Sequence, residues 1–293
     1  MINFSNLHPV VSALYFVSVL VITMFTANPI LLFVALLGGI LFYTKTEKGI
    51  HFLKEFRFYL VLIVIITLTN PLFSHDGVTP LFFLNGNPIT LEALLYGVDI
   101  AIMLVAVMYW FKCFNKIMTE DKLLFLFGKI SPKISLLLSS ALRFIPLLKI
   151  QAARIRQSQK AMGLFASEAW TDKLRGSMRV YSALITWALE NAIDTGSSMK
   201  ARGYGLKGRS HYSIFTFRKS DALLMAAIMA MDAIIVMVMA TGQLDFSFYP
   251  TISATTMTIY NFLAMITFAV LVLLPFILEV KEGLQWKYYR SKI

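Results

Sequence analysis

Long apolar stretches alternate with short polar connections along most of this chain of 293 residues. A helix needs about 20 apolar residues to cross a hydrocarbon core of about 30 Å, and the last three stretches reach that length. The second stretch is the shortest and would cover only about 21 Å as a helix. It either extends further or forms a hairpin with the first stretch. The six stretches are Val10–Thr26, Ile30–Tyr43, Phe58–Phe73, Leu91–Phe111, Asp221–Gly242 and Thr255–Leu278.

The region between the fourth and fifth stretches has the pattern of two long amphipathic helices. The first is predicted from Pro132 to Gly163 with a bend at Pro146, because a proline inside a helix removes one hydrogen bond. The second is predicted to begin with Thr171 or Asp172 as its N-cap. Its apolar residues recur every three or four positions, so they form one stripe along about 45 Å of helix. The stripe comprises Trp170, Leu174, Met178, Tyr181, Ile185, Ala188, Ala192, Gly196 and Met199.

The connection Asn70–Thr90 is the one place where the pattern indicates something other than helix. Turn-forming pairs occur throughout it, and the apolar run Leu81–Leu84 is followed by Asn85-Gly86. Such a pair after an apolar run is typical of a tight β-hairpin. We predict a small strand and turn here, with Thr90 as the N-cap of the helix that follows.

Lysine and arginine lie on one side of this arrangement. The connections near residues 28–29, 74–90 and 243–254 contain none, whereas Thr44–Arg57, Lys112–Lys219 and Lys281–Ile293 contain 4, 19 and 4 of the 27. Connections rich in these residues stay in the cytoplasm. We therefore predict an all-α integral membrane protein with both termini in the cytoplasm. It has about six membrane helices and two long cytoplasmic helices in an L-shaped arrangement.

This pattern divides the chain into three predicted parts. Residues 1–111 form the N-terminal membrane helices, residues 112–219 a cytoplasmic helical module, and residues 220–293 a membrane hairpin with a basic tail. The start of the chain has neither a basic n-region nor an A-x-A-like site, so we expect no cleavable signal peptide.

Composition supports this class and excludes others. The chain is 58% hydrophobic and 15% charged, which is too apolar for an ordinary soluble domain. The net charge of +11 follows from the cytoplasmic cations and from attraction to anionic lipid, and no nucleic-acid-binding signature accompanies it. The single cysteine, Cys113, excludes an internal disulfide and a cysteine-based metal site.

The two predicted cytoplasmic helices end in the same pattern, S-x-K-A-x-G, forty residues apart. Glycine after the last turn suits a left-handed cap, and a cation there complements the helix dipole, so two well-capped helices are the simplest interpretation. That interpretation explains neither the shared alanine nor Arg202, which Gly203, Gly205 and Gly208 follow. We interpret both ends as plugs that enter pockets on another protein, where an arginine can pair with a carboxylate. The first docking end comprises Lys160, Ala161, Met162 and Gly163, and the second comprises Lys200, Ala201, Arg202 and Gly203.

Nothing in the sequence indicates a catalytic site, a cofactor site or a metal site. There is no phosphate-binding loop of the G-x-x-x-x-G-K-[ST] type, no evident Ser/His/Asp set, and the histidines lack metal-ligand spacing. Asp99 and Asp232 lie within apolar stretches, and acids at membrane depth are functional candidates. Each acid is either neutral or hydrogen-bonded to Asn70, Thr67 or Thr69, and it has either a structural role or a place in a proton or ion pathway.

These residues together resemble the transmembrane T subunit of energy-coupling factor (ECF) transporters, the EcfT/CbiQ-like family. The similarity spans nearly the whole chain, because several separated pieces agree in order. The similar pieces are 70–73 (Asn-Pro-Leu-Phe), 85–90 (Asn-Gly-Asn-Pro-Ile-Thr), 141–146 (Ala-Leu-Arg-Phe-Ile-Pro), 159–163 (Gln-Lys-Ala-Met-Gly) and 200–205 (Lys-Ala-Arg-Gly-Tyr-Gly).

The resemblance implies a non-catalytic coupling subunit of an importer in a bacterial cytoplasmic membrane. Such a subunit joins two ABC-type ATPases to a small substrate-binding membrane protein, the S component. Its two long coupling helices end in Ala-Arg-Gly-like motifs, and each motif docks into a groove on one ATPase. ATP-driven closure of the ATPases moves the helices, and the S component topples to deliver a vitamin or a metal ion. The T subunit itself holds neither ATP nor substrate.

The first docking end departs from the family pattern, because Met162 stands where arginine is usual. Methionine can fill an irregular apolar pocket, and Arg156 or Lys160 can supply the charge. We therefore expect the second end to dock more strongly. The resemblance also assigns supporting roles to Arg143, Pro146 and Arg156. The expected contacts with the S component are Leu174, Met178, Tyr181 and Ile185.

Two other functions are consistent with the sequence. One is an ion-coupled secondary transporter that uses Asp99 and Asp232. Such a transporter would show paired membrane halves with broken helices, whereas the two halves here differ in their number of segments. The other is a membrane scaffold whose basic helices bind a different cytoplasmic partner. The proteins that copurify with the chain distinguish these possibilities.

Overall fold

The protein is mainly helical, as the apolar pattern predicts. The computed structural model describes residues 4–46, 50–84, 87–163, 165, 169–206, 215–253 and 258–291. Its first element is a 3₁₀ helix, Phe4–Asn6. The helices are α1 (Pro9–Phe25), α2 (Pro29–Thr46), α3 (Ile50–Phe73), α4 (Leu91–Ile117), α5 (Glu120–Ile130), α6 (Pro132–Ala161), α7 (Trp170–Ala201), α8 (Lys219–Ala240) and α9 (Ile259–Arg290). This confirms the all-α membrane fold.

Each of the six predicted membrane stretches is helical over most of its described length, and the start of the sixth, residues 255–257, lies outside the described residues. Among the described residues, five helices are long and apolar enough to cross a membrane, namely α4, α6, α8, α9 and the Glu55–Phe73 part of α3. α1 and α2 are apolar but slightly shorter. α6 is in this group because few charges interrupt its first half. Its predicted place on the cytoplasmic side stays a prediction.

The short second stretch extends beyond its predicted limits at both ends. α2 has 18 residues, which is about 27 Å of helix. Asn28 begins it, because the Asn28 side-chain oxygen accepts a hydrogen bond from the Ile30 amide at 3.1 Å. The Asn28 amide group also donates to the Leu244 carbonyl at 3.4 Å. The α1–α2 turn is therefore attached to the connection that follows α8.

A cluster of aromatic side chains forms the centre of the membrane helices. Phe4, Tyr15, Phe16, Phe42 and Trp110 are each fully buried, and their ring centroids lie between 5.1 and 6.3 Å apart. Edge-to-face packing of this kind adds to the energy of burial. The Trp110 indole donates to the carbonyl of residue 35 on α2, and the Tyr15 hydroxyl donates to that of residue 271 on α9. The cluster therefore joins α1, α2, α4 and α9.

The predicted hairpin between α3 and α4 is present. Strands β1 (Pro80–Leu84) and β2 (Asn87–Thr90) pair antiparallel. The turn Asn85-Gly86 lies outside the described residues. The Thr90 hydroxyl accepts a hydrogen bond from the Ala93 amide at 3.3 Å, which confirms its role as the N-cap of α4.

A charged cluster joins α2, α3 and α4 near one end of these helices. The Lys112 ammonium lies 2.8 Å from a Glu55 carboxylate oxygen, and both side chains are 32% exposed. The same ammonium lies 5.0 Å and 5.4 Å from the ring centroids of Tyr59 and Tyr43. The Tyr43 hydroxyl donates to Glu55 at 2.6 Å. Aromatic rings and a carboxylate thus stabilise a cation close to the apolar region.

The chain forms two compact units. The membrane unit comprises Met1–Leu123 and Phe215–Ile293, and the helix-pair unit comprises Leu124–Ile214. The helix-pair unit lies inside the predicted module of residues 112–219 and is shorter than it at both ends. The first residues of the predicted module belong to α4, which continues past Lys112 to Ile117. The three predicted parts of the chain stay predictions.

The N-terminal segment, residues 4–8, contacts both places where the chain leaves and re-enters the membrane unit. Lys122, just before the helix-pair unit, is buried, and its ammonium donates to the Ser5 carbonyl at 2.6 Å. Burial lowers the pKa of Lys122 below its usual 10.5. Phe217, just after the helix-pair unit, packs edge-on against His8 at 5.1 Å between ring centroids. One short segment therefore holds both connections.

Candidate docking site

The two long helices of the helix-pair unit run in opposite directions. One groove between them is lined by residues near the start of α6 and near the end of α7, including Leu136 and Met199. A second groove is lined by residues near the end of α6 and near the start of α7, including Arg156 and Ser177. Each helix is about 45 Å long. The two docking ends therefore lie at opposite ends of the pair.

The backbone has the same conformation at both docking ends. Met162 and Arg202 are the C-caps, with φ/ψ of −83°/8° and −83°/9°. Gly163 and Gly203 follow in the left-handed region, with φ of +87° and +82°. Their amides donate at 3.0 Å to the carbonyls of residues 160 and 200. This is the glycine cap that the repeated pattern predicts, and it fits both ends because glycine has no Cβ to oppose a positive φ.

Most residues of both docking ends are exposed. Lys160, Ala161, Met162 and Gly163 are exposed, as are Lys200, Ala201 and Arg202, whereas Gly203 is half-buried. The Met162 side chain is 66% exposed. The two ends thus present the same backbone and differ chemically at one position, where a thioether replaces a guanidinium.

Arg143 shares a groove with the second docking end. The groove has a volume of about 490 Å³, and Arg143, Asp194 and Arg202 line it together with several hydroxyl-bearing side chains. The three charged side chains are exposed. Arg143 thus places a second cation beside the second docking end. α6 continues through Pro146.

The first half of the apolar stripe of α7, from Trp170 to Ile185, is exposed. Gly176 is the single buried residue among those described in this helix, and α6 has none. The proposed S-component contacts are therefore available to a partner or to lipid. Their exposed fractions are 47% for Leu174, 63% for Met178, 61% for Tyr181 and 42% for Ile185.

The predicted N-cap of α7 is wrong. The helix begins at Trp170, and Ala169 occupies the cap position without a side-chain hydrogen bond. The Asp172 amide donates instead to the Ala169 carbonyl at 3.1 Å. Asp172 lies in the first turn, where its charge complements the helix dipole without capping an amide.

The two acids in the membrane unit do not make the expected contacts. The buried Oδ1 atom of Asp99 has no hydrogen-bond partner, and neither has the Thr67 hydroxyl. Asn70 donates to the carbonyl of Ala93 at 2.6 Å instead. The Oδ1 atom of Asp232 is also buried without a partner. In the described part of the chain, no group of three or more His, Cys, Asp or Glu side chains has the arrangement of a metal site.

Sequence reasoning missed Phe165 and Gly176. The Phe165 ring packs on Gly176 in the first turns of α7, and the Arg156 guanidinium lies 5.4 Å from the ring centroid. One signal was available, because a glycine inside a predicted helix often marks close packing. The sequence around Phe165 carried no comparable signal.

The chain is similar to membrane components of transporters. A family described as "Cobalt transport protein" (CbiQ) matches residues 4–212. The energy-coupling factor transporter transmembrane protein EcfT of Listeria innocua is 32% identical over 105 residues, covering 35% of this chain and 40% of that protein. EcfT of Lactobacillus helveticus is 31% identical over 96 residues, covering 32% and 35%. EcfT of Bacillus selenitireducens is 26% identical over 230 residues, covering 73% and 84%. The first two alignments thus span well under two thirds of the relatives' length.

Proposed function

Because the chain belongs to the cobalt transport protein (CbiQ) family, we propose that it is the non-catalytic coupling subunit of an energy-coupling factor importer. In this proposal, the two docking ends bind two ABC-type ATPases. The outward face of α7 and the membrane helices bind a small S component that carries a vitamin or a metal ion. The protein lies in a bacterial cytoplasmic membrane with both termini in the cytoplasm.

The repeated helix end is the observation that carries this proposal. Two exposed ends with equal backbone geometry lie at opposite ends of an antiparallel pair of helices. Two similar subunits of a partner can therefore be engaged at one time, one at each end. A rigid helix about 45 Å long moves as a body, so a displacement at one end reaches the rest of the pair.

The exposed apolar face of α7 supports a second partner. Large side chains on this face at Trp170, Met178 and Tyr181 are more than half exposed. Contiguous apolar surface of this kind marks contact with protein or with lipid. A small membrane protein seated on this face would be moved when the ATPases move the helix pair.

Copurification tests the proposal directly. The tagged chain is expressed in its native host, extracted in mild detergent and isolated, and its bound proteins are identified by mass. We expect two ATPase polypeptides that carry the G-x-x-x-x-G-K-[ST] phosphate-binding loop, together with one small hydrophobic protein. Substrate uptake into vesicles that contain the complex is expected to require ATP. A chain that isolates alone and drives uptake from an ion gradient would instead support the alternative based on Asp99 and Asp232.

Accessibility of the helix-pair unit tests its location. Single cysteines replace Arg179 in α7 and Val78 before the hairpin, both of which are exposed. In intact cells, a membrane-impermeant thiol reagent is expected to label position 78 and not position 179. Labelling of position 179 from outside would contradict the proposed orientation.

A further inference from the structure

Phe165 has an unusual backbone conformation for a large side chain. Its φ is +69°, in the left-handed region, and it is the one described residue other than glycine with a positive φ. Among L-residues this region costs about 1–2 kcal/mol. Such a conformation persists where the surroundings determine it. The contacts of the Phe165 ring therefore have to offset the cost of this backbone conformation.

The Phe165 ring packs directly on the backbone of α7. A Cβ atom added to Gly176 would lie 2.7 Å from two carbon atoms of the ring. Real Cβ atoms do not approach that closely, so only glycine at position 176 allows the ring to take this place. Gly176 is also the buried position of α7 noted above, and the ring is what covers it.

The same ring contacts α6. The Arg156 guanidinium lies 5.4 Å from the ring centroid, which is within the range of a cation–π interaction. Ala152 and Ala153 of α6 line the groove beside the ring, as do Ser177 and Val180 of α7. Phe165 therefore bridges the end of α6 and the start of α7.

We propose that Phe165 is a positioning residue for the first docking end. Phe165 lies three positions after Met162, so the chain between them spans at most about 10 Å. Holding the ring on Gly176 thus restricts where Met162 and Gly163 can lie. The inference rests on the proposed function for what the end docks into, although the restriction itself belongs to the isolated chain.

Restricting the first docking end before it binds is useful because Met162 is uncharged. Met162 itself brings no charge, so its own contribution to docking depends on apolar contact and on how much conformational freedom the side chain loses when it binds. Ordering a group before binding reduces that loss and improves affinity. Arg156, which was a candidate to supply charge at this end, is placed over the ring instead.

Spin-label mobility tests the restriction in the isolated, full-length chain. A nitroxide is attached to cysteine at position 162 or, in a separate sample, at position 202; the native Cys113 is buried. Gly176→Ala is the test variant because its methyl group displaces the ring. Gly196→Ala is the matched control in the same helix, because a Cβ there meets no atom within 4 Å. We expect Gly176→Ala to raise the mobility of the label at 162 and not at 202, and Gly196→Ala to change neither.

A double variant tests whether the ring is the cause. Phe165→Ala alone is expected to raise mobility at position 162 to the same extent as Gly176→Ala. Because both changes remove one contact, the pair together should have no further effect. Unchanged mobility at 162 in both single variants overturns the inference, as does an equal rise at 202.

Cross-linking to the ATPases then tests the consequence for docking. In the purified complex, cysteine at 162 or 202 is cross-linked to the copurified ATPases. We expect Gly176→Ala to lower the yield at 162 about tenfold, which corresponds to about 1.4 kcal/mol, and to leave 202 unchanged. Equal yields at 162 with and without the substitution overturn the role in docking. Absence of cross-links from both positions of the parent chain refutes the proposed function instead, while the mobility result still decides whether Phe165 restricts the end.

Discussion

Replacing Arg202 by alanine is expected to weaken ATPase binding more than replacing Met162. The two variants can be compared directly, because Met162 and Arg202 have the same C-cap backbone conformation and are both exposed. Any difference between the variants therefore comes from side-chain chemistry and not from backbone geometry. Both docking ends keep their glycine caps in these variants.

The expected magnitudes follow from what each side chain loses on truncation. Removing one partner of a hydrogen-bonded charge pair in an interface costs about 2–5 kcal/mol. Full burial of a methionine contributes about 1.5–3 kcal/mol, and Met162 is 66% exposed before docking, so its further burial contributes about 1–2 kcal/mol. The midpoints of these two ranges differ by about 2 kcal/mol, which predicts that Arg202→Ala binds about 30-fold more weakly than Met162→Ala.

Equilibrium binding of the purified ATPases to the chain in detergent measures this difference. Arg179→Ala is the control for Arg202, because it removes an exposed cation from the first third of α7, about 34 Å along the helix from Arg202. Added salt should reduce the affinity of the parent and of Met162→Ala more than that of Arg202→Ala, since an ion pair is screened. The reasoning is refuted if Met162→Ala weakens binding as much as Arg202→Ala, or if Arg179→Ala matches Arg202→Ala.

Three further predictions concern stability and are checked by thermal unfolding in detergent. Gly163→Ala and Gly203→Ala each place a side chain at a positive φ, so each should destabilise the helix-pair unit by about 1–2 kcal/mol. Equal stability of the parent and the variants would contradict the cap geometry. Glu55→Gln keeps a hydrogen-bonding group but leaves the Lys112 cation without its carboxylate, so a loss of about 1–3 kcal/mol is expected, and addition of Lys112→Met should recover part of it. The pKa of Lys122 is lowered in the folded chain, so below pH 10.5 the unfolded chain binds more protons than the folded chain. The free energy of unfolding should therefore rise as the pH increases toward 10.5, and Lys122→Met should remove that rise.

The sequence predicts the repeated helix ends well because their cause is local. A glycine three residues after a lysine, at the end of an apolar periodicity, specifies the left-handed cap without reference to the rest of the fold. Thr90 and the hairpin before it are local in the same sense, and both are present. The membrane helices follow from length and hydrophobicity, since a bilayer imposes both.

The features that sequence reasoning missed depend on contacts between distant residues. Phe165 packs on Gly176, eleven positions away, and no periodicity indicates that a ring will fold back onto the next helix. The N-cap of α7 was assigned to Thr171 or Asp172 by residue preference, whereas Ala169 occupies that position. The expected partners of Asp99 were wrong for a similar reason, because Asn70 reaches a backbone carbonyl instead.

The helix-pair unit is inserted between residues 123 and 215 of the membrane unit. Lys122 and Phe217, at the two ends of this insertion, contact the same N-terminal segment. Ser5 and His8 are three residues apart, so their contacts with the two connections lie within about 10 Å along that segment. Insertions whose ends are close together disturb the host fold little. The membrane unit therefore holds the two ends of the inserted segment side by side through contacts of its own residues.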